Sequence, residues 1–241
     1  MPSARTWEMG EHMKRDPIFF PPPAWTNAGQ LARVVSLDDP DSASRVKVKL
    51  LAFDDVANQE TEIWARVVSP FAGSDRGTYF LPDVDDEVFV IFVQGDPRYP
   101  VILGGLWNGA APAPASIESG GVNRYKRIKS KNGIVITLDD QQGQETLLLE
   151  TPGGQKFTLK DGPGSVTIED SNGNSIKLES SGITIQASAK VTVSAAKVDV
   201  SAGMVTVDAA MAKFSGVVKC EVLQTNSVIS SSYTPGAGNV W

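Results

Sequence analysis

The sequence predicts an all-β protein: an OB-fold barrel followed by an intertwined, homotrimeric, triangular β-helix. Three observations predict it. Between residues 31 and 108, short runs of alternating apolar and polar residues are separated by turn-forming clusters. From residue 134 onward, apolar residues recur in pairs two positions apart. Near the end the pattern locks to a period of seven: KVTVSAA (190–196), KVDVSAG (197–203), MVTVDAA (204–210) and MAKFSG (211–216).

The chain divides into five stretches. Residues 1–30 form an N-terminal arm, 31–109 the barrel, 110–123 a linker, 124–227 the trimeric shaft and 228–241 an apex segment. In the arm, PIFFPPPAW (17–25) sets Phe19, Phe20 and Trp25 around a proline run that favours extended, pre-ordered backbone. This is a contact surface, either folded over the chain's own barrel or presented to a partner.

The barrel strands are RVKVKL (45–50), IWARVV (63–68), EVFVIFV (87–93) and VILGGLW (101–107). DDPDS (38–42), SPFAGSDRG (69–77) and QGDPRYP (94–100) supply the turns between them. Four or five short strands in about 80 residues suit an OB-type barrel. APAPASIESGGVNR (110–123) reads as an Ala/Pro/Ser/Gly linker.

In the shaft, the pairs are Ile134/Ile136, Leu147/Leu149, Phe157/Leu159, Val166/Ile168, Ile176/Leu178 and Ile183/Ile185, followed by Val191/Val193, Val198/Val200 and Val205/Val207. A coiled coil would space its apolar residues by three and four; a spacing of two is that of strands. Thr167, Lys177, Thr184, Thr192, Asp199 and Thr206 lie between the pairs and face water. Each strand therefore carries one apolar face about two side chains wide. A single-chain β-helix uses about twenty residues per coil, whereas seven to nine make only one side of a triangle. Three chains supply the three sides, with strands pairing between neighbouring chains and Val191, Val193, Val198, Val200, Val205 and Val207 forming the trimer core. Roughly a dozen layers at about 4.8 Å give a shaft on the order of 60 Å long. At the apex, Val228, Ile229, Tyr233, Val240 and Trp241 surround TPGAGN (234–239). That segment either seals the shaft or forms a platform for another protein, with Trp241 as its anchor.

Composition narrows the function. The net charge is −6, and residues 31–108 hold 13 acidic against 7 basic side chains, so the barrel is a poor nucleic-acid binder. The basic cluster RYKRIKSK (124–131) reads as a solvated strand at the top of the shaft that can meet the acidic barrel. The one cysteine, Cys220, allows no disulfide within the chain. No apolar leader and no apolar run near 18 residues is visible, which predicts assembly in a cytoplasm.

No catalytic or metal constellation emerges, and no cofactor is expected. The single histidine, His12, lies 208 positions from Cys220. The carboxylate pairs Asp38-Asp39, Asp54-Asp55, Asp85-Asp86 and Asp139-Asp140 are adjacent in sequence, and neighbours on a strand point to opposite faces, so they read as turn or solvated groups. An enzyme that cuts polysaccharide needs two carboxylates across one groove, and between 183 and 216 only Asp199 and Asp208 are acidic. A depolymerase and an oligonucleotide- or sugar-gripping barrel are therefore the weaker alternatives to a structural role.

The stretch FLPDVDDEVFVIFVQGDPRYPVILGGLWNG (80–109) resembles the barrel of phage baseplate spike proteins and type VI secretion spikes. The likeness rests on Pro82, Asp86-Glu87, Gly95-Asp96-Pro97-Arg98, Pro100, and Gly105 through Asn108-Gly109. VISSSYTPGAGNVW (228–241) is similar to the ends of such baseplate assembly proteins. The resemblance implies a homotrimeric needle at the centre of a contractile tail or injection machine, made in the cytoplasm and then carried in the baseplate of a phage tail-like particle. It implies a hub protein at the barrel end, expected as a separate chain and contacted by Phe19, Phe20 and Trp25. It also implies a PAAR-like tip protein on the C-terminal apex. The target membrane is met only on puncture. Two features of some relatives are missing: a muramidase-like domain between barrel and shaft, and a His-x-His iron site at the apex.

Overall fold

The computed structural model describes residues 28–53 and 62–232. Fourteen strands and no α-helix occur among them, with short 3-10 turns at Leu51–Phe53 and Val93–Gly95. The first seven strands are β1 (Gln30–Ser36), β2 (Val46–Leu50), β3 (Glu62–Val67), β4 (Ala72–Gly73), β5 (Arg76–Gly77), β6 (Glu87–Phe92) and β7 (Pro100–Leu106). Five of these close into a barrel in the order β1-β2-β3-β7-β6, with β6 returning to β1. Only the β3–β7 contact is parallel. β4 and β5 form a two-residue ribbon inside the 69–77 turn, which had read as plain loop.

Alternation places the barrel core. Val46, Val48 and Leu50 of β2, and Val88, Val90 and Phe92 of β6, point inward, while Lys47, Lys49, Phe89 and Ile91 lie between them. Ala32 and Val34 of β1, Ala65 of β3 and Ile102 of β7 complete a contiguous apolar cluster, with Ile63, Val67 and Leu81 packed on it. β1 is the strand the sequence pattern missed. A register shift between Val34 and Ser36 breaks its alternation, and Leu31 faces out beside Ala32.

The second half of the fold starts with β8 (Tyr125–Lys129), β9 (Val135–Asp139), β10 (Thr146–Glu150) and β11 (Lys156–Lys160), and continues with β12 (Ser165–Glu169), β13 (Ser175–Glu179) and β14 (Gly182–Gln186). These seven form one antiparallel sheet in which every strand pairs with its sequence neighbour. Here the expectation of strand pairing between chains needs correction. From 125 to 186 the strands pair within the chain as successive hairpins. Apolar spacing of two fixes which face a side chain occupies, but it does not say whose strand lies alongside. The fold divides between Lys190 and Val191. Among the described residues from 187 to 232, none belongs to a strand.

The 110–123 stretch is more than a tether. Glu118 and Val122 form a small antiparallel bridge, and the Pro114 carbonyl accepts a 3.2 Å hydrogen bond from the Arg127 guanidinium on β8.

Candidate assembly surfaces

The registers of the second sheet set its two faces. On one face, one apolar column runs across six strands and a second across all seven. The first passes through Leu138, Leu147, Leu159, Val166, Leu178 and Ile183, headed by Lys126 on β8. The second passes through Ile128, Ile136, Leu149, Phe157, Ile168, Ile176 and Ile185. The other face has a middle column of Arg127, Thr137, Leu148, Thr158, Thr167, Lys177 and Thr184. Most side chains of the apolar face are exposed in the single chain, among them Leu138, Leu149, Ile168, Leu178, Ile183 and Ile185. Scattered exposed apolar residues are ordinary, but a continuous two-column face this long marks a surface built to be covered.

The six repeat valines continue the theme. Val191, Val193, Val198, Val200, Val205 and Val207 are 60–73% exposed in the single chain. Val228 and Ile229 of the apex segment are also exposed, whereas Tyr233, Val240 and Trp241 lie outside the described residues. Phe19, Phe20 and Trp25 lie outside them as well.

The polar motif residues are tied into turns. Asp96 accepts from the Arg98 backbone N–H at 2.9 Å and from its guanidinium at 2.6 Å, and its carbonyl accepts from Tyr99. The Arg98 hydrogen bonds hold the Asp96 carboxyl below the usual carboxylate range. Gln94 and Gly95 adopt positive φ at the start of this turn. Asp39 accepts from the backbone N–H groups of Asp41, Ala43 and Arg45, and its pairing with the Arg45 guanidinium keeps it strongly acidic. Asp86 accepts the Asp83 N–H at 2.8 Å, and the Asp85 N–H reaches the Val34 carbonyl at the β1 irregularity. Asn108 donates to Glu87 at 2.8 Å and accepts from the N–H groups of Ala110 and Ala111, fixing the chain as it leaves the barrel. Asp54 and Asp55 are outside the described residues. Among the described residues, no group of three or more His, Cys, Asp or Glu is placed to hold a metal ion.

The basic cluster does meet the barrel. Lys131 lies 3.7 Å from Asp83, while Arg124 is hydrogen-bonded to Asp139, which that contact holds below its ordinary pKa. Between β8 and the barrel is a cleft of about 620 Å³ lined by Phe80, Trp107, Asp83, Arg127, Ile128 and Lys131, among others. Phe80 and Trp107 are 68% and 72% exposed. Sequence reading gave these two aromatics no role of their own. Trp107 stands just past the end of β7, and Phe80 lies in the loop between β5 and β6.

A barrel in this strand order, joined to a sheet whose long apolar face is uncovered, matches two known domain families. Residues 30–107 match the type VI secretion system/phage-baseplate injector OB domain. Residues 145–210 match the phage baseplate V C-terminal trimerisation domain. The chain belongs to the phage baseplate V and type VI spike family. Its barrel is the injector OB domain, and the trimerisation domain spans β10 through the third seven-residue repeat.

Curated relatives agree. The type VI secretion system spike protein VgrG3 of Vibrio cholerae serotype O1 is 31% identical over 96 residues, which are 39% of this chain and 9% of that protein. The spike protein VgrG1c of Pseudomonas aeruginosa is 27% identical over 128 residues, 50% of this chain and 18% of that protein. The actin cross-linking toxin VgrG1 of Vibrio cholerae is 28% identical over 95 residues, 38% of this chain and 9% of that protein. The chain thus spans less than a fifth of the length of the curated relatives it matches.

Proposed function

We propose that this chain is the central spike of a contractile tail or injection machine, acting by mechanical force and not by bond chemistry. The observation that carries the reading is the uncovered apolar face of the seven-stranded sheet, joined to a closed barrel that has its own core. Three copies turn that face toward a common axis, with Val191, Val193, Val198, Val200, Val205 and Val207 as the core of the lower shaft. A prism of three such sheets, continued by the valine repeats, is stiff and narrow, so contraction of a surrounding sheath concentrates force at its point. The barrel docks against a hub protein, with Phe19, Phe20 and Trp25 of the arm as contacts. The apex, through Val228, Ile229, Tyr233, Val240 and Trp241, carries a PAAR-like tip. The spike is assembled in the cytoplasm, resides in the baseplate and touches the target membrane only on puncture.

The depolymerase and binding-module readings have less support. The motif carboxylates Asp39, Asp86 and Asp96 are engaged in turns, and the middle column of the sheet's other face holds threonine, lysine, arginine and one leucine, with no acid among them.

Two experiments test the proposal. Light scattering on the purified chain is expected to give three times 25.7 kDa. Particles from a host carrying the chain should contain it as three copies per baseplate, and deletion of its gene should leave sheath and tube unable to penetrate target cells. A stable monomer, or penetration without the protein, refutes the assignment.

A further inference from the structure

Three Asn-Gly pairs occur in the chain: Asn108-Gly109, Asn132-Gly133 and Asn172-Gly173. In this dipeptide the backbone nitrogen of the second residue readily attacks the side-chain amide of the first, because glycine has no Cβ to block the approach and its backbone turns freely. The surroundings of each amide decide whether it can react. Asn108 is held at both ends. Its Nδ2 donates to Glu87 at 2.8 Å, and its Oδ1 accepts from the N–H groups of Ala110 and Ala111 at 2.9 and 2.8 Å.

The other two pairs sit in turns of the same build. Between β8 and β9, the Ser130 N–H donates to the Ile134 carbonyl at 2.9 Å, the Gly133 N–H to the Ser130 carbonyl at 3.0 Å, and Gly133 has φ 89°. Between β12 and β13, the Asp170 N–H donates to the Asn174 carbonyl at 3.0 Å, the Gly173 N–H to the Asp170 carbonyl at 3.4 Å, and Gly173 has φ 83°. In each turn the first side chain accepts the N–H of the fifth residue at 2.9 Å, Ser130 Oγ from Ile134 and Asp170 Oδ1 from Asn174. The difference lies in what that side chain can still do. Asp170 has a second oxygen, and Oδ2 accepts from the Asn172 amide at 3.1 Å. Ser130 has no second oxygen, and the exposed Asn132 side chain makes no hydrogen bond among the described residues. A carboxylate beside Asn172 also opposes loss of the Gly173 N–H proton, whereas Asn132 follows the cation Lys131.

We propose that Asn132-Gly133 is a site of spontaneous deamidation, and that Asp170 guards the equivalent pair Asn172-Gly173 against it. Water is the one co-reactant. The Gly133 nitrogen loses its proton to solvent base and attacks Cγ of Asn132. The N–Cγ bond forms as the Cγ–Nδ2 bond breaks, and ammonia leaves with a proton taken from solvent. Water then opens the resulting succinimide ring at one carbonyl or the other, giving aspartate or isoaspartate. No atom is oxidised or reduced. Either product adds a negative charge at neutral pH beside Lys131, which reaches Asp83 of the barrel at 3.7 Å, so the new carboxylate competes for that lysine. Isoaspartate also lengthens the backbone of the turn by one carbon, which disturbs the hydrogen bond from Gly133 to Ser130. The change falls at the joint between barrel and shaft, while the turn farther along the sheet is spared.

The test holds the full, purified chain in mildly alkaline buffer and follows each asparagine by peptide mapping with mass spectrometry. Isoaspartate is read separately by enzymatic methylation. Asn132 is expected to convert roughly tenfold faster than Asn172, because a hydrogen bond to a charged group must break before Asn172 can react. Exchanging the two guards tests the cause. Ser130→Asp should slow Asn132 to about the rate of Asn172, and Asp170→Ser should quicken Asn172 toward that of Asn132. Asp170→Ser also removes a turn cap, so the decision rests on Ser130→Asp, which adds one, with circular dichroism confirming an intact strand signal. Equal rates at Asn132 and Asn172 in the unaltered chain overturn the proposal. An Asn132 rate that Ser130→Asp leaves unchanged overturns the guarding role of the carboxylate.

Discussion

Ile168 and Thr167 are neighbours on β12, yet they sit on opposite faces of the sheet: Ile168 pairs with Phe157 and Ile176 in an apolar column, Thr167 with Thr158 and Lys177. Ile168→Asp is thus a direct probe of what covers that column. Ile168 is 48% exposed in the single chain, so a carboxylate there stays hydrated and the monomer tolerates it. In the trimer the same position is closed off, and symmetry puts three charges at one axial level. Each loses about 1 kcal/mol of apolar burial, half of what full burial of an isoleucine gives. Each also meets a desolvation cost of several kcal/mol, with mutual repulsion added. The sum is on the order of 10 kcal/mol per trimer, roughly seven decades in the assembly constant. Light scattering at micromolar concentration should show 25.7 kDa chains with strand-type circular dichroism intact. Thr167→Asp, one residue away on the outer face, should remain trimeric. If Ile168→Asp assembles with an unchanged melting temperature, the apolar face does not line the axis and the trimer geometry is wrong.

Further perturbations test other levels of the fold. Val200→Asp places its charge in the lower shaft, and it should likewise abolish the trimer seen by light scattering while leaving barrel unfolding unchanged. Ile102 is fully buried in the barrel core, so Ile102→Ala should cost about 3 kcal/mol in denaturant unfolding of the barrel. Gly162 has φ 47° and a Cβ there would run into the Gly143 carbonyl oxygen, so Gly162→Ala should destabilise the sheet by about 2 kcal/mol or more in the same measurement. Asp170 accepts from Asn174 and Asn172 in the β12–β13 turn, which lowers its pKa to about 2. A depressed acid stabilises the fold above its unfolded pKa of about 3.9 and ceases to do so as pH falls toward 2. Asp170→Asn should therefore lower the melting temperature at pH 6, and the two curves should converge near pH 2.

Much of this was legible in the chain. Val46, Val48 and Leu50 alternate so cleanly with Lys47 and Lys49 that strand, face and core membership could all be read from them. The same holds for each apolar pair of the shaft, because a period of two dictates a face whatever the partner. β1 escaped notice because its pattern is broken by a register shift, and LARVVS offers apolar side chains to both sides. The pairing of residues 125–186 within the chain was misread for a different reason. Ile168 and Val193 sit in the same local pattern, and what separates them is the chemistry of the corner that follows, glycine with positive φ in one case and alanine in the other. Phe80 and Trp107 escaped because the cleft they line is completed by β8 and the 110–114 stretch, which no local pattern reports.

The two halves of the fold answer the edge problem in opposite ways. Closure of the barrel leaves β1 and β6 paired to each other, so that half needs no partner to satisfy its strands or bury its core. The seven-stranded sheet is left open instead: it has an apolar face two side chains wide, and no described strand lies along the outer edges of β14 and β8. Either opening alone would invite indiscriminate association, since a bare edge pairs with any strand and a bare apolar face adheres to any other. Together they accept far less. A strand that satisfies the edge must also carry an apolar pair in the right register, and the seven-residue repeats of the same chain do so with Val191/Val193, Val198/Val200 and Val205/Val207.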